Sequence, residues 1–510
     1  MSHSSPTSPS AMRFPQQLAS IDIGSNSFRL EIGQISPSRY KRIDYLKETV
    51  RLGAGLDDHG MLTEEAMQRG LACLARFAQR LTGYHRSQVR AVATQTLREA
   101  LNRDVFLARA EAALGHPIEV ISGREEARLI YAGVARLQPS ELTRLVIDIG
   151  GRSTEMILGQ GRTPIRAESF RIGSVSLSMR YFPEGRFSEE AFRAAQVAAG
   201  AELEEALVPF AARHWQEALG SSGTAGAVSQ LLEASGVTDG AITPEALRWC
   251  IGQCLKAGRM DRLDLPGLKD DRRAVIGGGV AILYTLLTHF GIKALLPARG
   301  ALRQGVIFDL DERLNHPAQA GGADVREASV RELQRRFEVD TAHAGRVGRV
   351  AASLHASVIG PDADPLPGRE LAWACSLHEI GMMVSHHDHH RHSAYLLANV
   401  DAAGFSQSQQ RRLAELVLAQ RGGLRKVESQ LSQDSFAWQV MCLRLAIIEC
   451  HARDDATAGG SAMSLRRDGA AAVLTVPASW HETHPRTLFL LGEELAVWER
   501  SGLLRLKIHA

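Results

Sequence analysis

The sequence predicts an α/β protein with two lobes and a cleft between them, followed by a largely helical region and a small closing α+β module. The main observation is a short internal repeat, called the echo below. Residues 22–28 (DIGSNSF) resemble residues 148–154 (DIGGRST), and each copy lies between two apolar runs. Alternating strand-like and helix-like segments follow both copies, and a helical pattern comes after them. We therefore expect a disordered tail at 1–17 and domains at 18–133, 134–312, 313–453 and 454–510.

The elements of each lobe follow from local periodicity and turn residues. After the first hairpin we expect helices over Glu64–Arg80 and Asp104–Leu114, with strands over Val89–Val92 and Ile118–Ile121. After the second hairpin we expect a helix over Glu189–Phe210, a turn at Gly220–Thr224 and a strand over Ala294–Pro297. Residues 315–324 have the composition of a linker, and Ala471–Val476 predicts a strand in the closing module.

Composition excludes several classes of protein. A chain of 510 residues is too long for one hydrophobic core. The formal net charge of +2 argues against general nucleic-acid binding, so a polyanionic ligand needs a local basic lining. The six cysteines are scattered, which favours a reduced, cytoplasmic protein.

One uncharged segment, Ala274–Ile292, has to be weighed as a membrane span. Its glycines and His289 argue against that interpretation, and Gly277-Gly278-Gly279 predicts a turn that feeds a buried helix. The first seventeen residues are rich in Ser and Pro and do not resemble a signal peptide. We expect no transmembrane segment, while peripheral contact with the inner membrane face stays open.

The two echoed turns predict a phosphate site in two halves. A glycine-rich turn between strands can point backbone N–H groups and a Ser hydroxyl at phosphate oxygens. An acid at the strand end can hold a cation, and the candidates are Asp22, Asp148 and Glu155. One such turn is weak evidence because similar turns close ordinary hairpins. Two matched copies make a ligand site the better interpretation.

A helix beginning near Ser122 supplies a candidate catalytic acid. Ser122 and Glu125 fit a capping box, which occupies Glu125 and leaves Glu126 as the freer carboxylate. Glu126 is a candidate general base for a water that attacks phosphorus. The alternative is a solvated acid favoured by the helix dipole. Arg98 follows a strand end and could bind phosphate oxygens, or form an ordinary surface ion pair.

Weaker signals come from a third turn and a basic cluster. The turn offers backbone donors and hydroxyls from Ser222, Gly223 and Thr224. Basic residues precede the next glycine-rich segment and hint at a path for a polyanion, although such side chains are commonly just solvated. These residues are Lys269, Arg272 and Arg273.

Histidines crowd the interval from His378 to His392 and suggest a metal centre. The run 377–381 (LHEIG) resembles HD-type phosphohydrolases, whose His-Asp pair and later Asp bind metal. Here Glu379 replaces the paired Asp and Ile447 stands where the later Asp is expected. We therefore expect a metal site that has been lost, with histidines that serve structure or contact substrate.

From about residue 18 to its end, the chain resembles the bacterial exopolyphosphatase and guanosine pentaphosphate phosphohydrolase family. The most specific motifs lie at 22–28, 122–130 and 148–155. The resemblance implies an actin-like, Hsp70-like (ribonuclease H-like) fold for the two lobes, with catalysis in their cleft. It also implies an all-α HD-like domain, a small C-terminal domain and a homodimer.

The resemblance also implies roles for individual residues. Glu126 would be the general base, and Asp148 and Glu155 would help to hold Mg²⁺. The terminal phosphate would be cradled by Asn26, Ser27, Arg98, Gly150, Gly151 and Ser153. One departure is Arg152, which replaces a glycine common in this family. Its side chain could obstruct close approach of the backbone or add a phosphate contact.

The implied reaction is hydrolysis of a terminal phosphoanhydride, with orthophosphate released one unit at a time. The length of the chain and residues 390–395 (HRHSAY) resemble the branch that acts on inorganic polyphosphate, whereas residues 443–448 (LRLAII) resemble the branch that acts on guanosine pentaphosphate. The resemblance also allows both activities in one protein. A kinase or a non-catalytic sensor on the same fold is a third interpretation. It is disfavoured because the helix carrying Glu125 and Glu126 has no obvious purpose in a kinase.

Overall fold

The computed structural model describes residues 16–36, 39–315, 324–360, 364–453 and 461–509. The chain divides into two compact units, residues 1–322 and 323–510. Most of the predicted tail, the predicted linker from residue 316 to 323 and the predicted boundary at 454 lie outside the described residues. Residues 16 and 17 belong to the first strand.

The first lobe is built on a five-stranded sheet of order β3-β2-β1-β4-β5. β1, β2 and β3 pair antiparallel, and β4 and β5 join parallel to β1. Leu18, Ile21 and Phe28 are fully buried in or beside this sheet, which accounts for the apolar runs around the first turn. The elements are β1 Gln16–Ile23, β2 Phe28–Ser36, β3 Arg39–Glu48, α1 Glu64–Arg80, β4 Val89–Ala93, α2 Gln95–Glu99, α3 Arg103–Leu114, β5 Ile118–Val120 and α4 Gly123–Leu137.

The second lobe repeats this order as β8-β7-β6-β9-β10. β6, β7 and β8 are antiparallel, whereas β9 and β10 continue the sheet in parallel. The elements are β6 Thr143–Ile149, β7 Thr154–Gln160, β8 Thr163–Phe170, α5 Ser174–Tyr181, α6 Glu189–Leu203, β9 Glu217–Gly220, α7 Gly223–Ala234, α8 Pro244–Ala257, α9 Asp270–Arg273, α10 Ile276–His289, β10 Leu296–Pro297 and α11 Leu302–Asn315.

The echoed sequences therefore occupy the same position in two equivalent sheets. Each forms the turn between the central strand and its antiparallel neighbour. In the first hairpin Asp22 lies opposite Arg29, and in the second Asp148 lies opposite Glu155. The turns project from the end of the sheet at which the parallel strands also terminate, where ligands commonly bind in α/β folds.

The last helix of each lobe packs on the sheet of the other lobe. α4 lies against β7 and β8, where the Tyr131 hydroxyl donates to the Gly161 carbonyl at 3.2 Å. α11 lies against β1 and β2, and its Phe308 ring meets Tyr40 edge-on at 5.2 Å. Asp309 on α11 accepts from Arg90 at 2.7 Å and from Arg128 of α4 at 2.5 Å. The two lobes thus share one buried ionic cluster.

The prediction of a turn at Gly277-Gly278-Gly279 is wrong, because these glycines lie in the first turn of α10. A Cβ on Gly278 would lie 2.6 Å from the Ser174 carbonyl oxygen and 2.7 Å from the Ser178 nitrogen. The glycines therefore allow α10 to pack closely on α5, and the buried helix itself is confirmed. No helix among the described residues has the length and apolar character needed to cross a bilayer.

The second compact unit is a helical domain followed by a three-stranded sheet of order β11-β12-β13. Its core includes Trp438 and Trp498, both almost completely buried. The predicted strand near Ala471 is present. The elements are α12 Val325–Arg336, α13 Thr341–Ala356, α14 Leu366–Leu377, α15 His389–Asn399, α16 Gln407–Ala419, α17 Glu428–Leu431, α18 Asp434–Glu449, β11 Ser464–Asp468, β12 Ala471–Thr475, α19 Trp480–Thr483, α20 Pro485–Ser501 and β13 Arg505–His509.

Candidate active site

A cavity of about 300 Å³ lies between the lobes, where the turns of both sheets meet. A Cβ on Gly151 of the second turn would lie 3.0 Å from the Ser25 Cβ and 3.4 Å from the Asn26 nitrogen of the first turn. The two turns therefore face each other closely. The predicted site residues that line this cavity are Asp22, Asn26, Ser27, Glu126, Asp148, Gly150, Gly151, Ser153, Ser222, Gly223, Thr224 and Arg272.

In both turns, backbone carbonyl groups accept hydrogen bonds from backbone N–H groups elsewhere in the chain. The Ser25 carbonyl accepts from the Gly53 nitrogen at 2.7 Å, and the Gly151 carbonyl accepts from the Val175 nitrogen at 2.8 Å. The Ser27 hydroxyl is buried and has no hydrogen-bond partner among the described residues. Because the acceptors of the turns are occupied and this hydroxyl is not, the cavity wall is suited to an anion.

The third turn is tied to the second. The Thr224 hydroxyl donates to the Ile149 carbonyl at 2.9 Å, and the Ser222 hydroxyl oxygen caps α7 by accepting from the Ala225 nitrogen at 3.0 Å. The Thr224 hydroxyl, predicted to bind phosphate, is therefore engaged within the fold. The Ser222 hydroxyl accepts hydrogen bonds in the cap and keeps its own O–H group as a donor.

The acids of the two hairpins have different surroundings. Asp22 accepts from the Arg29 guanidinium at 3.0 Å. Glu155 accepts from the Ser169 hydroxyl at 2.8 Å through one oxygen, and its other oxygen is buried with no partner among the described residues. Burial, reinforced by Glu126 and Asp148, holds the pKa of Glu155 well above its usual range. Burial also raises the pKa of Asp148 to about 6. Ionisation of both acids at the second hairpin is thus disfavoured until a cation is bound there.

These acids fit a magnesium ion only in part. Within the described part of the chain, Asp22, Asp148 and Glu155 do not form a group whose ligand atoms all lie within 4.8 Å of one another. The ion pair with Arg29 occupies the Asp22 carboxylate, which makes Asp22 a poor candidate for a metal ligand. Mg²⁺ is usually held by one or two carboxylates together with substrate phosphates and waters. The partnerless Glu155 oxygen and the nearby Asp148 match that requirement.

Glu126 lies in the first turn of α4, which Ser122 caps by accepting from the Glu125 nitrogen at 3.1 Å. The second half of the predicted capping box is replaced, because the Glu125 carboxylate pairs with Arg128 at 2.8 Å. Glu126 accepts from Arg98 at 2.8 Å. Burial raises the pKa of Glu126 to about 7, and Arg98 opposes a larger rise. A carboxylate with such a pKa can accept a proton near neutral pH.

Five predicted site residues lie outside the cavity lining, namely Glu155, Arg98, Arg152, Lys269 and Arg273. Arg98 is occupied by Glu126 and by Gln95, to which it donates at 2.6 Å and 2.8 Å. Arg152 donates to Glu99 at 2.9 Å and to the Gly53 carbonyl at 3.1 Å. Its side chain therefore braces the second turn against the first lobe, which is neither of the two outcomes foreseen for it. Arg273 pairs with two acids of its own segment, and Lys269 precedes the same short helix.

The sequence interpretation missed most of the cavity's cations. Arg272 was predicted, whereas four others come from strand β2, strand β3 and the segment around α11. Burial and the nearby Arg29 lower the pKa of Arg272, as expected for cations that crowd one another. Only Arg29 left a signal in the sequence, since hairpin register places it opposite Asp22. The cations of the lining are Arg29, Lys47, Arg272, Arg299 and Arg303.

The histidine cluster does not contribute to this cavity. His378, His386 and His389 line a separate cavity of about 570 Å³ in the second compact unit, and Ile447 lines it as well. The clustered histidines are thus divided, since His387 is exposed and lies outside that lining.

Two sheets of identical order, facing turns rich in donors and a carboxylate on an exchanged helix define an actin-like two-lobed domain arranged for chemistry on phosphate. Residues 32–314 match the Ppx/GppA phosphatase family, and residues 325–495 match domain III of Ppx/GppA phosphatases. The first match alone covers more than half of the chain, so this protein belongs to the Ppx/GppA phosphatase family and is a hydrolase.

Solved structures agree with this assignment. A family member from Aquifex aeolicus is 27% identical, with a TM-score of 0.50, over 59% of this chain and 99% of its own. An exopolyphosphatase from Cytophaga hutchinsonii is 26% identical, with a TM-score of 0.52, over 58% of this chain and 98% of its own. Both comparisons cover nearly all of the relative and the larger part of this chain.

Proposed function

We propose that this protein is an exopolyphosphatase, which removes orthophosphate from the end of inorganic polyphosphate. The observation that carries the proposal is the combination, in one cavity, of donor-lined turns with five cationic side chains. A polyphosphate chain bears about one negative charge per unit, so its units beyond the reacting one need such a lining. The similarity to the Cytophaga hutchinsonii exopolyphosphatase supports the same substrate.

The proposed reaction places the terminal phosphate between the two turns. A water molecule attacks the terminal phosphorus, its proton passes to the Glu126 carboxylate, and the bond from phosphorus to the bridging oxygen breaks. The products are orthophosphate and a chain one unit shorter. Asp148 and Glu155 would hold Mg²⁺, which when bound neutralises charge on the phosphate oxygens. Arg98 keeps Glu126 in place and limits the rise of its pKa.

Guanosine pentaphosphate is the alternative substrate, because it also ends in a phosphoanhydride. The run at 443–448 that favoured it is buried apart from Ile447 and Ile448, and its Arg444 pairs with Glu494 at 2.6 Å. These contacts explain the run by packing and leave polyphosphate as the preferred proposal. The six cysteines are buried and scattered along the chain, which further supports a cytoplasmic location.

The test is release of orthophosphate from long-chain polyphosphate and from guanosine pentaphosphate under the same conditions. We expect faster turnover of polyphosphate in the wild-type protein. Glu126→Gln should abolish release from either substrate while polyphosphate binding persists. Glu65→Gln, which changes an exposed acid, is the matched control. Near-normal turnover by Glu126→Gln would refute the assigned base, and a preference for guanosine pentaphosphate would refute the assigned substrate.

A further inference from the structure

The second compact unit contains three buried ligating side chains that the proposed function does not use. His343 lies on α13, His378 directly follows α14, and Glu379 comes next. Their exposed fractions are 3%, 1% and 8%. Each offers a ligand atom, and these atoms all lie within 4.8 Å of one another. The sequence interpretation did not include His343, which is 35 positions away from His378 in the chain.

The imidazole of His378 is oriented as in a metal ligand. Its Nδ1 lies 2.7 Å from the Cys375 carbonyl oxygen, an acceptor that fixes the proton on Nδ1. Nε2 therefore carries the lone pair, and it is buried without a hydrogen-bond partner among the described residues. Metal-binding histidines are commonly held by a hydrogen bond of this kind to the other nitrogen.

The backbone at this position is also fixed. The His378 carbonyl accepts from the Gln420 side chain at 2.9 Å and from the Ser393 hydroxyl at 3.0 Å.

The two imidazoles approach the same carboxylate oxygen, since the Glu379 Oε1 lies 3.9 Å from the Nε2 of His343 and 4.0 Å from the Nε2 of His378. Ligands that share a tetrahedral Zn²⁺ lie about 3.4 Å apart. The two distances from the imidazoles to the Glu379 oxygen thus exceed the tetrahedral value by only about half an ångström.

We propose that His343, His378 and Glu379 bind one divalent transition-metal ion of the zinc class. Two imidazoles and one carboxylate suit Zn²⁺, and three protein ligands leave a coordination position open, as in catalytic zinc sites. The same side chains line the cavity of about 570 Å³, so the open position faces that cavity. The aliphatic Ile447 also lines the cavity and provides no fourth ligand. The expectation of a lost metal site is replaced by one of an altered site.

Arg453 is the competitor for this ion. Its guanidinium pairs with Glu379 and lies 3.3 Å from Asp340, so it supplies positive charge where the metal would. The Arg453 side chain is 42% exposed, and it can leave the carboxylate for solvent at modest cost. Metal affinity should therefore be limited by Arg453, and removal of the guanidinium should increase it.

The test uses the full-length protein, stripped with a chelator and then equilibrated with Zn²⁺ in the presence of excess Mg²⁺. Magnesium occupies oxygen-only sites, including any in the cleft, and competes poorly for imidazole. After dialysis we expect one bound Zn²⁺ per chain. We also expect a rise in Tm on Zn²⁺ addition, because a ligand that binds the folded state stabilises it. Co²⁺ in place of Zn²⁺ should give the visible absorption of a tetrahedral site.

Four variants make the test specific. His378→Ala and Glu379→Gln should lose the stoichiometric ion and the Zn²⁺-dependent rise in Tm. His343→Gln repeats the test should His378→Ala fail to fold. Arg453→Gln should bind Zn²⁺ at least tenfold more tightly.

The control addresses adventitious binding by the surface histidines. His387→Ala combined with His392→Ala removes two histidines of the tract outside the three-residue site and should retain the ion. Absence of stoichiometric Zn²⁺ from both the wild-type protein and Arg453→Gln would overturn the proposal. So would binding that survives His378→Ala but is lost in the control.

Discussion

The two hairpins whose turns line the cavity share a sheet position and an opening sequence, yet they differ in charge. Asp22 faces Arg29 across the first hairpin, whereas Asp148 faces Glu155 across the second. The first acid is neutralised by its partner at 3.0 Å, whereas burial beside Glu126 and Asp148 favours the neutral form of Glu155 at the second hairpin. The repeated fold thus places the two aspartates at equivalent positions, and the residue opposite each aspartate determines whether its charge is balanced.

The helices α4 and α11, each packed on the sheet of the other lobe, add to this difference in charge between the hairpins. α4 belongs to the first lobe by sequence, but it packs on the second sheet and places Glu126 near the acids of the second hairpin. The first hairpin receives Arg303 from the start of α11, which donates to Glu31 of β2 at 2.6 Å. Acidic groups are therefore collected at one turn and basic groups at the other.

The largest expected effect comes from removing the acid at the second hairpin. Asp148→Asn should lower kcat/KM by about 10³ or more, because it removes the proposed Mg²⁺ ligand that lines the cavity. Asp22→Asn should cost at least tenfold less, since the charge of Asp22 is already balanced by Arg29. Orthophosphate release at saturating Mg²⁺ measures both. Equal losses in the two variants would show that the hairpins are functionally equivalent.

A second prediction concerns the buried ionic cluster around Asp309 that the two lobes share. Asp309→Asn should lower the free energy of unfolding by about 3–5 kcal/mol, because it removes the charge of a buried carboxylate that pairs with Arg90, Arg128 and Arg313. Urea denaturation followed by circular dichroism measures the change. Asp104→Asn, at an exposed acid, is the control and should change stability by less than about 0.5 kcal/mol. A small loss in Asp309→Asn would mean that this cluster contributes little and that other contacts hold the lobes together.

The same cluster gives a pH dependence of known sign. Buried arginines, Arg313 and Arg128 foremost, overcome the effect of burial and hold the pKa of Asp309 far below its usual range. Its contribution is present above the unfolded-state value of about 4 and is lost as the pH falls below that value. The wild-type protein should therefore lose more stability than Asp309→Asn between about pH 4 and pH 2.

The smallest expected effect comes from Arg152→Gly, which makes the second turn more like the family pattern. The change removes an ion pair with Glu99 whose side chains are partly exposed, worth about 1 kcal/mol or less. Because the side chain lies outside the cavity lining, kcat/KM should change by less than about threefold. A gain or loss of tenfold or more in the phosphate-release assay would place Arg152 in direct contact with substrate.

Local sequence patterns predicted much of the fold and part of the candidate site. The hairpins, α1, α3, α4 and the strand at Ala471 follow from periodicity and turn residues, and the echo located both turns. Side-chain partners across the fold were beyond reach, because they depend on which segments pack together. Lys47 pairs with Asp271 at 2.7 Å over a separation of 224 residues. The wrong prediction of a turn at Gly277-Gly278-Gly279 has a related cause. These glycines allow close contact with α5, whereas local sequence shows only that glycine is flexible.

The exchange of α4 and α11 has a consequence for how this part of the chain folds. A fragment that ends at residue 133 would expose the apolar face of α4 and would lack the helix that covers its own sheet. Neither lobe is therefore an independent folding unit, although each has its own complete sheet. Residues 16–315 should unfold in one cooperative transition, and a chain cut between α4 and β6 should regain structure only when both pieces are present.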